Sequence, residues 1–434
     1  MNVNNVKTYI LLPIFVVVLL GILWFSYVPS PTIMRLYEQD YPNEYVPMIV
    51  TANGTFFLSS SFERVWIGAQ EVQNEEGIIS IPKDFSPGWY PLIIHVNGKN
   101  ITHNNALYVT PVRLEDFTFV QVTDVHTPCY NGSDIQERKH VFELINNLGP
   151  AFVVDTGDMT DYGLEEQYRY YEYITSVLDM PLYTIPGNME TYSDPHLERY
   201  AYHRGPGNYY FYFDRTLFIA GAGLHSPRSW GGFDNAQINW INATISKEAD
   251  LIFFLHHIPI VAQQGRDYHY VPWGWREGHF SQIENGYQDI VTILTREHAF
   301  ILSGHWHGYV DTFQYKGATF YNTPSVTRMS GVQEGPRFRL FQIQNNTITY
   351  DNVLETGKLH ISREYRANNT QVTIRIQNDE GVFVPLCIHA SLSPKIKSYS
   401  TNQGEIIKIS VSGDVWVKYM APQGESELII APGS

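Results

Sequence analysis

The chain has 434 residues, 44% of them hydrophobic, which is enough to build the cores of two or three domains and excludes a disordered polymer. Its formal charge is -15, and only 17% of residues are charged against a usual ~25%. Nucleic acid is therefore excluded as a structural partner, because binding a phosphate backbone needs clustered Lys and Arg.

The first unit, residues 1–29, is a membrane anchor by its composition. No residue between Lys7 and Arg35 is charged, and the apolar run Tyr9–Val28 is 20 residues long, the ~20 a helix needs to cross the hydrocarbon. It runs into Trp24-Phe25-Ser26-Tyr27-Val28 with no small-residue cut site, so an uncleaved anchor is expected. Lys7 and the chain's amino group favour a cytoplasmic tip, which puts the rest on the extracytoplasmic side. Six N-x-S/T sequons, at Asn53, Asn100, Asn131, Asn242, Asn345 and Asn368, suit a glycoprotein exposed there. Cys129 and Cys387 lie 258 positions apart and form no C-x-x-C pair, so two free thiols are expected.

Residues 30–113 read as short strands between turn residues, "YVPMIVTA" through "NALYVT", which predicts a small antiparallel sandwich with no visible chemistry. Over 114–355 strands alternate with helices. "FTFVQVTDVH" is a strand, "DIQERKHVFELINNLG" an amphipathic helix closed by Gly149, and "PAFVVDTGDM" the next strand, a β-α-β unit of an α/β domain. Residues 356–434 return to antiparallel-style strands such as "QVTIRIQ" and "DVWVKYMA", predicting a second β-sandwich.

The middle domain carries the chemistry. Polar clusters come after its apolar runs: Asp124 and His126, Asp158, Asn188, His256 and His257, then His305 and His307. Strand ends are where α/β sheets present ligand-binding groups. Residues two apart on an extended segment share a face, so Asp124 with His126, and His305 with His307, are each expected to reach a common point. A lone His-x-His pair is more often surface or core than ligand, and Asp158 after Gly157 could merely cap a turn. Five clusters after strands of one domain point instead to metal, and imidazole with carboxylate and amide oxygen suits Zn, Fe, Mn or Co. There are too many donors for one tetrahedral ion, but they suit two.

The ordered set Asp124-x-His126, Gly157-Asp158, Gly187-Asn188, His257-x-Pro259 and Gly304-His305-x-His307 resembles the calcineurin-like metallophosphoesterases. The resemblance implies an α/β fold with a β-sandwich core flanked by helices, holding two transition-metal ions (Mn, Zn or Fe). Asp124, His126 and His307 would hold the first, Asn188, His257 and His305 the second, and Asp158 would bridge them. His256 is expected on the opposite face of its strand. The implied reaction is hydrolysis of a phosphoester substrate by a two-metal-activated hydroxide, with no protein nucleophile.

One motif departs from the family. Where the family usually reads Gly-Asn-His, this chain reads Gly187-Asn188-Met189, and a thioether neither donates nor carries a proton. Phosphodiesters are accordingly favoured over monoesters, and His196, His203 and His225 are the candidate replacement donors. The alternative is a metal-containing surface binding or adhesion protein that does not turn over. A purple-acid-phosphatase-like reading fits poorly, since Asp161 stands where that group carries a tyrosine.

Overall fold

The computed structural model describes residues 42–58, 62–128, 132–262, 275–276, 279–308, 310–327 and 335–433. The run Tyr9–Val28, Cys129 and Asn131 lie outside them; among the described residues no helix is long and apolar enough to cross a membrane.

Two sheets face each other in the middle of the chain. The first runs in the order Leu182–Thr184, Phe152–Asp155, Asp116–Val122, Arg337–Gln344, Thr347–Glu355. Its first three strands are parallel and the last two join antiparallel. The second runs Asn208–Phe213, Thr216–Gly221, Leu251–Leu255, Ala299–Ser303, Ala318–Asn322, Asp311–Tyr315, with its four inner strands parallel. The inner strands Phe152–Asp155 and Leu251–Leu255 are buried at every position, which is why they read as unbroken apolar runs rather than as alternation.

Aromatic rings join the two sheets. Phe119 stacks between Phe152 (5.3 Å) and Phe341 (4.7 Å) of its own sheet and meets Phe218 and Phe253 of the other sheet edge-on, at 5.3 and 5.1 Å. Offset stacks within a layer and edge-to-face contacts between layers are the arrangements that ring quadrupoles favour. Helices cover the outside. Gly132–Leu148 and Glu165–Thr175 come after strands of the first sheet, and Asn235–Ile245 after a strand of the second, its first turn capped by Asp234, which accepts from Gln237 N at 2.8 Å. This is the mixed α/β sandwich, flanked by helices, that the sequence predicts.

The flanking strands differ from expectation in two places. In the N-terminal sheet Met48–Thr51 pairs parallel with Leu107–Thr110, so that sheet is mixed, not purely antiparallel. The chain leaves Thr51 for a separate three-stranded sheet and returns, which lets its first strand lie alongside the last in the same direction. The C-terminal strands form two antiparallel sheets, and Leu359–Tyr365 and Tyr399–Thr401 join those recognised in the sequence. Their apolar residues are continuous with the core of the middle region. The approach there is close: a Cβ on Gly149 would lie 1.9 Å from the Cys387 carbonyl oxygen, and Cys387 is a buried free thiol.

Phe119→Ala should lower the unfolding free energy by about 3–5 kcal/mol, read from the denaturant midpoint at unchanged slope. A loss of only a few tenths would mean that this ring does not hold the two sheets together.

Candidate metal centre

All seven expected donors lie a few residues beyond the C-terminal ends of strands from both sheets. The strands stop earlier than the apolar runs suggest, at Val122, Asp155, Thr184, Leu255 and Ser303, and the donors lie outside any strand. Asp124, His126, Asp158, His305 and His307 all take positive φ, 54°, 49°, 54°, 70° and 45°. Residues two apart therefore do not converge by strand alternation as expected. Left-handed turns aim each side chain separately, at a strain of order 1–3 kcal/mol per residue that the surroundings must hold. Cross-loop hydrogen bonds supply part of that hold, Asp124 N donating to Gly157 O and His126 N to Asp158 O, both at 2.9 Å.

The turns bring the side chains into two groups that share Asp158. In the first, Asp124 Oδ1 lies 3.1 Å from His307 Nε2 and 3.7 Å from His126 Nε2, the two imidazole nitrogens are 3.0 Å apart, and Asp158 Oδ2 is 3.9 Å from His126 Nε2. In the second, the same Asp158 Oδ2 lies 3.1 Å from His257 Nε2, which is 3.3 Å from His305 Nδ1. Asn188 sits on the loop whose Met189 amide donates to Asp158 Oδ1 at 2.9 Å.

Two buried acceptors test whether these residues fit a metal pair. Among the described residues Asn188 Oδ1 is buried without a hydrogen bond, a state that costs roughly 1–3 kcal/mol unless something occupies it, and the buried Asp124 Oδ1 meets only imidazole nitrogens, His307 Nε2 at 3.1 Å and His126 Nε2 at 3.7 Å. Asp124 belongs to the first group, and Asn188 precedes Met189, whose amide is bonded to the Asp158 that both groups share; a cation would give such oxygens the partner they lack. The set is nitrogen and oxygen only, with no thiolate, which suits Mn, Zn or Fe.

Residues 117–309 match the family model for the calcineurin-like phosphoesterases. The chain carries a calcineurin-like phosphoesterase domain. A probable glycerophosphodiester phosphodiesterase of Arcobacter nitrofigilis is 31% identical over 156 residues, a match that covers 32% of this chain and 57% of that protein. The chain thus spans little more than half the length of that relative. Among solved structures, a dimetal phosphatase from Danio rerio is similar at 13% identity and a TM-score of 0.40, over 55% of this chain and 99% of that one. A purple acid phosphatase from yellow lupin, Lupinus luteus, is similar at 12% identity and a TM-score of 0.41, over 75% and 66%.

The phosphoesterase domain orients its donors through partners outside the set expected from the sequence. His126 turns Nδ1 to Asp161 Oδ1 at 3.3 Å and His257 turns Nδ1 to Thr156 O at 2.9 Å, leaving Nε2 of both rings for the centre. A carboxylate three residues after Asp158 was the available signal for Asp161. Glu190, expected to anchor its loop, is fully buried and accepts from Gly187 N, Asp158 N, Thr160 N and Thr160 Oγ1 at 2.7–3.1 Å. Two glycines are required by contact alone. A Cβ on Gly187 would lie 2.1 Å from Asp158 Oδ1, and one on Gly304 2.6 Å from Asp124 Oδ2.

Charge inside the domain reflects this geometry. Burial alone would raise the Asp124 carboxyl and depress the His126 and His257 imidazoles. Neighbouring opposite charges overcome it: His307 and His126 hold Asp124 well below the usual carboxylate range, Asp124, Asp161 and Asp158 push His126 up to about 10, and Asp158 pushes His257 up to about 9. His305 goes the other way, to about 3, because burial and the positive charge of His257 both oppose its protonation.

The remaining histidines stand apart. His256 does face away: its Nδ1 is 2.7 Å from Gly221 O, its ring lies against Phe233, and burial lowers it to about 3. His203 has both nitrogens held, by Glu172 at 2.8 Å and Glu165 at 2.9 Å. His225 is engaged with Asn285 and Glu284, at a separate cavity lined by Phe233 and Asp289. His196 is exposed on its loop.

A histidine must be neutral to bind metal, so loading at pH 7 should expel a proton from each of His126 and His257, and metal affinity should rise as pH climbs towards about 9 for His257 and about 10 for His126. Calorimetric titration with Mn or Zn in two buffers of different ionisation enthalpy reads this directly. Heats that do not depend on the buffer would count against it.

Proposed function

We propose that the chain is a metal-dependent hydrolase of phosphate esters that favours diesters over monoesters. The observation that carries this reading is the pair of donor groups sharing one carboxylate, with the unpaired, buried Asn188 Oδ1 on the adjoining loop. A metal pair bound there would polarise a phosphoryl oxygen and acidify a water. The protein's part is positional. Asp158 faces both groups, the Met189 amide holds its carboxylate and Glu190 its backbone amide, and Asp161 and Thr156 set the tautomers of His126 and His257.

The diester preference rests on Met189. A monoester transition state carries more charge on the phosphoryl group, and a thioether adds no donor to meet it. The Arcobacter nitrofigilis relative is described as a probable glycerophosphodiester phosphodiesterase, which agrees with that preference. With Mn or Zn, the purified protein should hydrolyse an activated aryl phosphodiester faster than the matching monoester. Asp158→Asn should cut the diester rate by at least about 10²-fold, since it removes the charge both groups share. An unchanged rate in that variant would sink the mechanism, and bound metal without turnover over a panel of nucleotides, lipids and sugar phosphates would favour the binding-protein alternative.

We further propose that the catalytic region faces the extracytoplasmic side, tethered by Tyr9–Val28. The support is the length and neutrality of that run, together with the exposure of the sequon residues Asn53, Asn100, Asn242, Asn345 and Asn368, each accessible to a modifying enzyme. A chain lacking residues 1–29 should move from the membrane pellet to the soluble fraction. Retention in the pellet after alkaline washing would rule out this tether.

A further inference from the structure

We propose that Tyr192 supplies the hydrogen-bond donor that Met189 cannot, its phenol donating to a non-bridging oxygen of the substrate's phosphoryl group. The proposal rests on the phosphoester-hydrolase reading of the same site and adds to it a recognition contact.

Tyr192 closes the short 3-10 turn Met189–Thr191, its N donating to Met189 O at 3.2 Å. Its side chain turns back along the loop, so that the phenol oxygen lies 3.4 Å from Asn188 Nδ2. An amide nitrogen only donates, so the phenol oxygen is the acceptor, and the contact has two consequences. It fixes the Asn188 carboxamide with Nδ2 towards Tyr192, which leaves Oδ1, buried and without a partner, for the donor set. It also leaves the phenol's own proton unspent, for among the described residues that oxygen makes no second hydrogen bond.

The other protic groups of the loop are committed. Glu190 accepts four bonds and Thr191 Oγ1 donates to Asn188 O at 2.7 Å, while Ser193 Oγ is engaged by Arg199 Nη1 at 2.9 Å rather than by Asn188. His203 is held at both nitrogens. A phosphoryl group approaching the Asn188 side of the centre therefore meets the O–H that lies against the Asn188 carboxamide, four positions after Asn188, in place of the imidazole one position after it. No bond forms or breaks at Tyr192; the phenol stays protonated and donates.

The test compares wild type with Tyr192→Phe in the full chain, measuring metal content and the affinity of the Mn-loaded protein for orthophosphate. The variant should keep the wild-type metal content and bind orthophosphate about tenfold more weakly, as loss of a hydrogen bond to a charged group predicts. Adding Met189→His to Tyr192→Phe should recover most of that loss. Equal orthophosphate affinity at equal metal content would overturn the proposal. A fall in metal content with unchanged affinity of the loaded fraction would also overturn it, and would make Tyr192 a positioning residue for Asn188 alone. A wild type that binds metal and orthophosphate but hydrolyses no ester defeats the hydrolase reading while leaving the Tyr192 comparison decided by binding. A wild type that binds no orthophosphate defeats both.

Discussion

Asp158 must be a buried carboxylate that faces two donor groups at once, and much of the surrounding structure serves that requirement. Its Oδ2 is within 3.9 Å of His126 and 3.1 Å of His257, while Oδ1 is tied to the Met189 amide. Burying a negative charge is costly unless it is paired and hydrogen-bonded. Here the compensation comes from imidazoles on the turns beyond other strands. A second buried acid, Glu190, stands directly behind it and gathers amides from both the Asp158 loop and the Asn188 loop. Burial, with Asp158 next to it, raises Glu190 to about 7, so the strut is itself held against its electrostatic preference by the donors it accepts.

The two-sheet core explains why so many polar groups can meet in one place. Parallel inner strands end on a common edge, and turns with positive φ at non-glycine residues stand beyond them. Those turns cost conformational energy that a free peptide would not bear. They persist because they are bonded to each other and packed against glycines that admit no side chain. Gly187 touches Asp158 and Gly304 touches Asp124, so the glycine before each of Asn188 and His305 makes room for a carboxylate of another motif. The aromatic stack centred on Phe119 keeps the two edges in register beneath the site.

Recognition of the phosphoryl group is shaped by what stands next to Asn188. Met189 contributes through its backbone amide, which any residue but proline could provide, and its side chain brings no donor. The phenol of Tyr192 sits against the Asn188 carboxamide, whose oxygen is buried without a partner. The imidazole missing at one position and the phenol present a turn later are related through Asn188, and their chemistry differs: a phenol donates without changing charge near neutral pH, whereas an imidazole can carry a proton.

Residue types able to do this chemistry, and their approximate places along the chain, were legible in the sequence alone. Unbroken apolar runs marked the buried strands, the 3.6-residue pattern ending at Gly149 marked the helix Gly132–Leu148, and polar residues after each run marked the seven candidate donors. His257 was separable from His256 by Pro259 two positions after it, as in the motif of the family the sequence resembles. How the donors converge was settled by the three-dimensional fold. Sequence spacing suggested extended pairs, but positive φ depends on contacts between distant loops and leaves no local pattern at Asp or His. The same holds for Asp161, Thr156 and Tyr192, which matter through what they face across the fold, and for the parallel pairing of Met48–Thr51 with Leu107–Thr110, strands far apart along the chain. Period and polarity are written in neighbours along the chain; orientation is set by neighbours in space.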